Sequence, residues 1–251
     1  MVQGVTEPER FFFVHLQKTA GTTLFRRLRH HFGPEAVYPT PEQQRDPESI
    51  LDVDYLRAAF EREGDRLRVV TGHFPLCTTE LLGVPFTTMT VLRDPLDRTL
   101  SFLRHQKRLD PSLADVPMDQ VYGRPQLLHG LIHNHMVKML GLTTDLMTHG
   151  AATLVEFDDE FLARAEANLA GVDVVGLQGS FDDFCAELVA RFGWDLGRPE
   201  RGNATDDLVE EPSERFVARV LRDNALDVRL YAFAEQLVRD RRAQGVGGPT
   251  G

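Results

Sequence analysis

The feature that most constrains this chain is an apolar segment that stops before a lysine and leads directly into a helix. Residues 11–14 read Phe-Phe-Phe-Val, and Lys18 and Gly21 follow closely. Leu24 and Leu28 then recur at helical spacing. The pattern predicts a buried strand, a tight turn and a helix N-terminus. Because the first amides of a helix have no intrahelical partner, we expect this turn to bind an anion such as a phosphate or a phosphosulfate.

The turn differs from the Walker A loop of nucleoside triphosphatases, in which the lysine follows the second of two glycines. Here Lys18 precedes Gly21, and no glycine lies between Phe11 and Lys18. The lysine therefore enters from the strand side, which weakens a triphosphatase interpretation. An ordinary strand–turn–helix junction remains an alternative at this point. Three hydroxyl side chains add donors to the turn: Thr19, Thr22 and Thr23.

A second strand–turn–helix segment follows later in the chain. Residues 86–92 form a β-rich run that ends at Arg93, and Pro95 then marks a helix start. Ser101 falls about two turns into that helix. The planar guanidinium of an arginine can hold a phosphate through two parallel hydrogen bonds. This segment therefore predicts a second anion clamp, which a ligand with two separate phosphate groups would need.

A third predicted strand, residues 67–71, ends in Gly72 and His73. In open α/β sheets, ligands bind outside the carboxyl ends of the strands. We therefore expect Lys18, His73 and Arg93 to lie along one rim. Histidine is the side chain whose pKa best suits a general base near neutral pH. His73 is thus the candidate that would remove a proton from an acceptor hydroxyl.

These segments resemble the motifs of sulfotransferases that use 3′-phosphoadenosine 5′-phosphosulfate (PAPS). The first resembles P-K-[ST]-[AG]-[GS]-[ST]-[ST]-L, with Gln17 where the family usually has Pro, and the second matches L-R-D-P-x-x-R-x-x-S. Residues 172–182 resemble V-G-L-x-E-x-F, with Gly179 where Glu is common. Residues 224–234 resemble the closing helix N-x-L-D-x-x-L-Y-x-F-A. The resemblance runs from about residue 11 to residue 237 and is closest to the glycan-type enzymes.

The resemblance implies a role for each matching residue. Arg93 and Ser101 would hold the 3′-phosphate, and His73 would take the acceptor proton. Lys18 would also stabilise charge on the oxygen that leaves sulfur, so that 3′-phosphoadenosine 5′-phosphate (PAP) is the product. The 5′-phosphosulfate would be held by six consecutive residues: Lys18, Thr19, Ala20, Gly21, Thr22 and Thr23.

Acceptor binding is expected between residues 110 and 170, where the resemblance is weakest. Asn134 resembles the first residue of the family segment N-x-x-x-x-x-L-x-G. We expect Arg98, His133 and Asn134 to contact the acceptor. No metal is expected: His129 and His133 could share a helix face, but a zinc site would need a third ligand, and no H-E-x-x-H motif is present.

The order of elements predicts an α/β fold of three layers, α/β/α, with a mostly parallel sheet like that of P-loop nucleotide-binding proteins. We expect a single sulfotransferase domain over residues 1–251, with flexible tails at 1–9 and 244–251. A largely helical segment at 118–140 should bend at 123–125 because of its Gly and Pro. Strands are expected at 10–16, 67–71, 86–92, 152–156 and 172–176. Other helices are expected at 22–32, 54–62, 95–107, 159–169, 180–192, 213–222 and 225–242.

The net charge and the N-terminal sequence limit the classes of partner and the cellular setting that we expect for this chain. The formal net charge of −10 argues against nucleic acid and against long, highly sulfated glycosaminoglycans. The acceptor is therefore expected to be a hydroxyl on a small molecule, a lipid or a short carbohydrate. Neither a signal peptide nor a membrane-spanning segment is recognisable. We expect no membrane anchor and a cytoplasmic, bacterial setting.

Two other functions are compatible with these residues. A small-molecule kinase with a P-loop-like site would also bind a phosphate at Lys18, although it would need acidic residues to hold magnesium. A non-catalytic nucleotide-binding module would keep both anion clamps and transfer nothing. The candidate base His73 argues against the second alternative.

Overall fold

The computed structural model describes residues 9–198 and 211–246, with side chains described as far as residue 244. A five-stranded sheet lies at its centre, and every neighbouring pair of its strands is parallel. The strands are β1 (Phe11–Val14), β2 (Val37–Tyr38), β3 (Val69–Gly72), β4 (Thr87–Leu92) and β5 (Val174–Leu177). Their order across the sheet is β2-β3-β1-β4-β5. The parallel α/β architecture predicted from the sequence is confirmed.

Helices cover both faces of the sheet. The α-helices are α1 (Gly21–Phe32), α2 (Val53–Glu63), α3 (Thr78–Leu81), α4 (Pro95–Leu109), α5 (Met118–Tyr122), α6 (Pro125–Leu127), α7 (His135–Gly141), α8 (Asp159–Gly171), α9 (Phe181–Phe192), α10 (Glu214–Asp223) and α11 (Ala225–Val246). A π-helical turn at Leu128–Ile132 joins α6 to the segment before α7. Short 3₁₀ turns lie at Pro34–Ala36, Gln43–Arg45, Pro47–Ile50, Pro111–Leu113, Gly150–Ala152 and Gln178–Ser180.

The side chains of β1 alternate between the two cores, which is why its sequence is an unbroken apolar run. Phe11 and Phe13 pack with α1 and α9 on one face. Phe12 and Val14 pack with α2, α7, α8 and α11 on the other face. In a strand that is buried on both faces, polar and apolar residues do not alternate along the sequence. The three-layer arrangement follows directly from this double burial.

The register of the sheet aligns the strand ends that carry the candidate site. Val14 pairs with Gly72 of β3 and with Thr90 of β4, so these strands finish at the same edge. A third core, built mainly from α4, α5 and α10, holds α4 in place. Because α4 begins three residues after the end of β4, its start lies close to the site described below.

Three details differ from the sequence-based expectations. The predicted strand at 152–156 is wrong: a 3₁₀ turn ends at Ala152, and irregular chain follows with Leu154 72% exposed. The unpredicted strand β2 has only two residues, too few to show any periodicity. The bend at 123–125 is confirmed, but a second break lies before α7, where Asn134 has a positive φ of 44°.

The expected tails lie partly outside the described residues, namely 1–8 and 247–251. Glu9 is anchored: its carbonyl accepts from Arg68 Nε at 3.0 Å, and its carboxylate accepts from the Thr87 hydroxyl at 3.0 Å. Helix α11 continues through Val246, beyond the predicted start of the second tail at residue 244.

Candidate functional site

The loop between β1 and α1 has an unusual backbone. Lys18 and Ala20 adopt φ values of 67° and 70°, in the left-handed region that residues with a side chain rarely occupy. Thr19 between them is fully buried, and its hydroxyl donates to the Leu16 carbonyl at 2.8 Å. Strain of this kind costs on the order of 1–3 kcal/mol per residue, persists only where the surroundings fix it, and clusters at ligand sites.

The first turn of α1 leaves amide groups available to a ligand. The Ala20 carbonyl accepts from the amides of Thr23 at 3.0 Å and Leu24 at 3.2 Å. The amides of Gly21 and Thr22 come earlier in the helix, where no intrahelical carbonyl precedes them. Together with the partial positive charge of the helix N-terminus, they suit an anion. Thr22 is exposed at this point.

Gly21 is required at the start of α1 because a histidine ring lies against it. A Cβ at this position would overlap the imidazole of His15. That ring stacks on Phe13, with centroids 5.4 Å apart and planes inclined by 15°. Burial, and to a smaller extent the nearby charges of His73 and Lys18, lower the pKa of His15 well below its usual value. The His15 ring is therefore neutral, and it packs against Gly21 at the end of the loop between β1 and α1.

Arg93 joins the two predicted anion motifs. It follows the end of β4, and its Nη1 donates to the Lys18 carbonyl at 3.2 Å. Its Nη2 lies 4.0 Å from the Asp97 carboxylate. The Asp94 side chain accepts from the Asp97 amide at 3.0 Å and so caps α4. The structure thus brings Lys18 and Arg93, 75 residues apart in the sequence, to one place.

One face of α4 carries further basic groups. Arg104, His105 and Arg108 follow Ser101 by three, four and seven residues, spacings that place side chains on the same side of a helix. Burial, followed by the charges of Lys18 and Arg108, lowers the pKa of His105. The charge of Lys18 therefore acts on a residue of this face. Arg104 and His105 were not predicted from the sequence, although their spacing from Ser101 was a usable signal.

His73 is held in one tautomer by a backbone contact. It follows β3, and its Nδ1 lies 3.0 Å from the His15 carbonyl. Because a carbonyl can only accept, Nδ1 carries the proton and the lone pair is on Nε2. The backbone amide of His73 donates to the Ile50 carbonyl at 2.8 Å, which fixes the main chain too. The two rings of His15 and His73 are 4.6 Å apart.

The electrostatics of the site suit a neutral His73 beside fixed cations. Burial lowers the pKa of His73, the hydrogen bond to the His15 carbonyl opposes this, and the charges of Lys18 and His105 add to the lowering. Burial, then the charges of Arg108 and Arg93, also lower the pKa of Lys18. Cations that repel one another in this way are stabilised when an anion lies between them. This basic cluster lies in a chain whose net charge is −10.

Two of the three residues expected at the acceptor are buried instead. Arg98 has no exposed surface, and its guanidinium donates to the carbonyls of Leu131 at 3.4 Å and Ile132 at 2.9 Å. Asn134 is 4% exposed, and its side-chain oxygen accepts hydrogen bonds from two backbone amides. Both side chains are therefore engaged within the protein, which argues against the contact with the acceptor expected from the sequence. His133 is partly buried, with its ring 5.1 Å from that of Phe157, and its acceptor role stays a prediction.

Asn134 and Asp227 cap each other's helices. The Asn134 side-chain oxygen accepts from the amides of Leu226 and Asp227, both at 3.1 Å, at the start of α11. The Asp227 carboxylate accepts from the amides of Met136 at 3.2 Å and Val137 at 2.8 Å, at the start of α7. Burial raises the pKa of Asp227 to about 6, although these bonds and the nearby Arg98 oppose the shift. The two segments resembling sulfotransferase motifs thus meet in the core.

Removing one of these caps should destabilise the fold. Asn134→Ala leaves the partly buried amide of Leu226 and the buried amide of Asp227 without an acceptor, at about 1–3 kcal/mol for each unsatisfied buried group. We expect the free energy of unfolding, measured by urea titration, to fall by about 2–4 kcal/mol. Asp158→Ala removes an exposed N-cap of α8 and serves as the control, with an expected loss of about 1 kcal/mol. Equal losses in the two variants would contradict a buried role for Asn134.

The described residues hold no group of three or more His, Cys, Asp or Glu side chains arranged to bind a metal ion. That the reaction needs no metal stays a prediction. None of the helices within 9–198 and 211–246 combines the length and apolar character needed to cross a bilayer. Comparison of the chain with models of known protein families and with curated proteins finds no match.

Proposed function

We propose that this protein is a sulfotransferase that moves a sulfuryl group from PAPS to a hydroxyl of a small-molecule, lipid or short carbohydrate acceptor. The observation that carries the proposal is the hydrogen bond from Arg93 to the Lys18 carbonyl. It joins two anion-binding segments into one site, as a nucleotide with separate 5′ and 3′ anionic groups requires. A ligand with a single phosphate chain would use only one of them.

The residues present fit this donor. The Nε of Arg93 is buried without a hydrogen-bond partner among the described residues, so it still has a donor to offer. The Gly21 and Thr22 amides and the Lys18 ammonium supply donors at the 5′ side. The donor would supply the sulfuryl group: the acceptor oxygen would form a bond to sulfur in line with, and as it breaks, the bond from sulfur to the 5′-phosphate oxygen, so that PAP leaves with that oxygen. Lys18 stabilises the negative charge that develops on the oxygen leaving sulfur.

His73 acts on the acceptor side of the same site. With its proton held on Nδ1 by the His15 carbonyl, Nε2 is the atom that accepts the hydroxyl proton. Burial, and to a smaller extent the charges of Lys18 and His105, lower the pKa of His73, so the imidazole is neutral until that transfer occurs. Once protonated, His73 remains oriented because the carbonyl accepts from Nδ1–H in both states. Positioning and fixed charge account for most of the catalysis, as in phosphoryl transfer.

The Arg93→Ala variant tests the two-clamp arrangement. We expect its affinity for PAP to fall about 10- to 100-fold, because a hydrogen bond to a charged group contributes about 1.5–3 kcal/mol. Its affinity for adenosine 5′-phosphate should change much less. Calorimetry with PAP, adenosine 5′-phosphate and ATP in parallel measures both effects.

The same titrations separate the competing functions. A preference for ATP, dependent on magnesium, would support a small-molecule kinase. Tight PAP binding with no transfer to any acceptor or to water would support a non-catalytic module. If Arg93→Ala kept the wild-type preference for PAP over adenosine 5′-phosphate, the arrangement with two separate clamps would be wrong.

A further inference from the structure

We propose that Arg104 is a second cationic ligand of the 3′-phosphate and determines the preference for a 3′-phosphorylated nucleotide together with Arg93. This inference rests on the proposed function. It goes beyond the resemblance stated above, which assigns the 3′-phosphate to Arg93 and Ser101 alone. Two observations point to Arg104: its position on α4, and its Nε, which has no hydrogen-bond partner among the described residues.

Arg93 cannot give its whole guanidinium to a phosphate. One of its terminal nitrogens, Nη1, already donates to the Lys18 carbonyl at 3.2 Å. The other, Nη2, lies 4.0 Å from the Asp97 carboxylate, which partly neutralises its charge. Its Nε is buried without a partner among the described residues. A phosphate that carries nearly two negative charges would be incompletely matched by Arg93 and the hydroxyl of Ser101.

Arg104 offers the missing donor on the same side of α4. It lies three residues beyond Ser101, so the two side chains are neighbours on the helix surface. Its Nε is also buried and lacks a hydrogen-bond partner within the described part of the chain. Two buried guanidinium N–H groups, on Arg93 after β4 and on Arg104 of α4, are thus left unsatisfied among the described residues. Buried donors of this kind call for an acceptor.

The charges of the two arginines act on each other. After burial, which is the largest cause, and the opposing effect of Asp97, the charge of Arg104 contributes to lowering the pKa of Arg93. Like charges that act on each other in this way repel, and an anion bound between them relieves the repulsion. A phosphate could lie between the two arginines, because its three outer oxygens can accept hydrogen bonds from both guanidinium groups at once. Free phosphate and a nucleotide 3′-phosphate share this chemistry, so the test must distinguish them.

The test compares Arg104→Met with the wild-type protein by calorimetry. Methionine keeps an unbranched apolar stem while removing the charge and the Nε donor. We expect PAP to bind 10- to 100-fold more weakly, and adenosine 5′-phosphate to bind within about twofold of wild type. Arg104→Lys, which restores the charge without the planar fork, should recover part of the loss. Arg66→Met, at an exposed residue paired with Glu63, is the control and should change neither affinity.

Each outcome decides the assignment. Equal weakening of PAP and adenosine 5′-phosphate would overturn it in favour of a 5′-side or purely structural role, as would wild-type affinity for PAP in Arg104→Met. Inorganic phosphate that binds wild type as tightly as PAP does would replace the nucleotide with a free anion as the ligand. Failure of the proposed function looks different, because wild-type protein itself would then show no preference for PAP. Thermal melting of each variant checks that the fold is retained.

Discussion

Lys18→Ala should lower the rate of sulfuryl transfer by about 10²- to 10³-fold, the usual effect of removing one donor that stabilises a developing oxyanion. The ammonium lies at the strained turn, where the chain adopts a positive φ and where Arg93 holds the Lys18 carbonyl. Because the backbone amides of the loop remain, affinity for PAP should fall less than the rate. The rate is measured with radiolabelled donor, using transfer to an acceptor found by screening and slow transfer to water.

A matched control separates this effect from a general loss of positive charge. Arg57→Ala removes an exposed cation on α2, where it pairs with Asp54 at 3.4 Å, and should leave the rate unchanged. A Lys18→Ala variant that transferred sulfuryl at the wild-type rate would show that the lysine has no part in the chemistry. The positive φ at this residue would then need another explanation.

His73→Ala should reduce transfer to the acceptor by about 10²- to 10⁴-fold, the range attributed to a positioned general base. Affinity for PAP should stay near the wild-type value, since the anion-binding groups lie on the loop after β1 and on Arg93. Calorimetry and the radiolabel measurement together test this separation. A parallel loss of PAP affinity and of rate would indicate that His73 mainly supports the loop through the His15 carbonyl.

The pH dependence gives an independent readout for His73. A base must be neutral to accept a proton, and the pKa of His73 is lowered from its ordinary value near 6.5. Activity should therefore persist as the pH falls to 6.5 and decline only below that, as the imidazole becomes protonated. In the wild-type protein we expect the acid limb of kcat/KM below pH 6.5. An acid limb above pH 7 would contradict the assignment of His73 as a neutral base in this environment.

Much of the site could be predicted because parallel strands end at a common edge. Once β1, β3 and β4 are predicted, the residues that follow them must lie along the same edge of the sheet. This holds whatever helices cover the sheet. Lys18 and Arg93 are indeed in contact, and the ring of His73 lies beside that of His15, directly below the anion loop. This inference needed only local patterns and the geometry of a parallel sheet.

The burial of two expected acceptor residues, Arg98 and Asn134, results from contacts between distant segments. Arg98 lies within the segment that matches a binding motif, yet its guanidinium is enclosed and holds the carbonyls at the end of the π-helical turn. Asn134 caps a helix that begins 91 residues later, at Ala225. The residue type does not predict burial at either position, because arginine and asparagine are usually exposed. Only the packing of α4, α7 and α11 against one another makes them internal.

The sequence by itself determined the parallel α/β fold, the strand–turn–helix junction at Lys18 and the common edge shared by Lys18, His73 and Arg93, because apolar strand runs and helix-start signals are local. The tertiary structure alone decided which nitrogen of His73 carries the proton, which cations accompany Arg93, and that Arg98 and Asn134 lie in the core. Those outcomes depend on the His15 carbonyl, which lies just after β1, and on the packing of α11 against α4 and α7. No spacing within a single segment encodes such contacts.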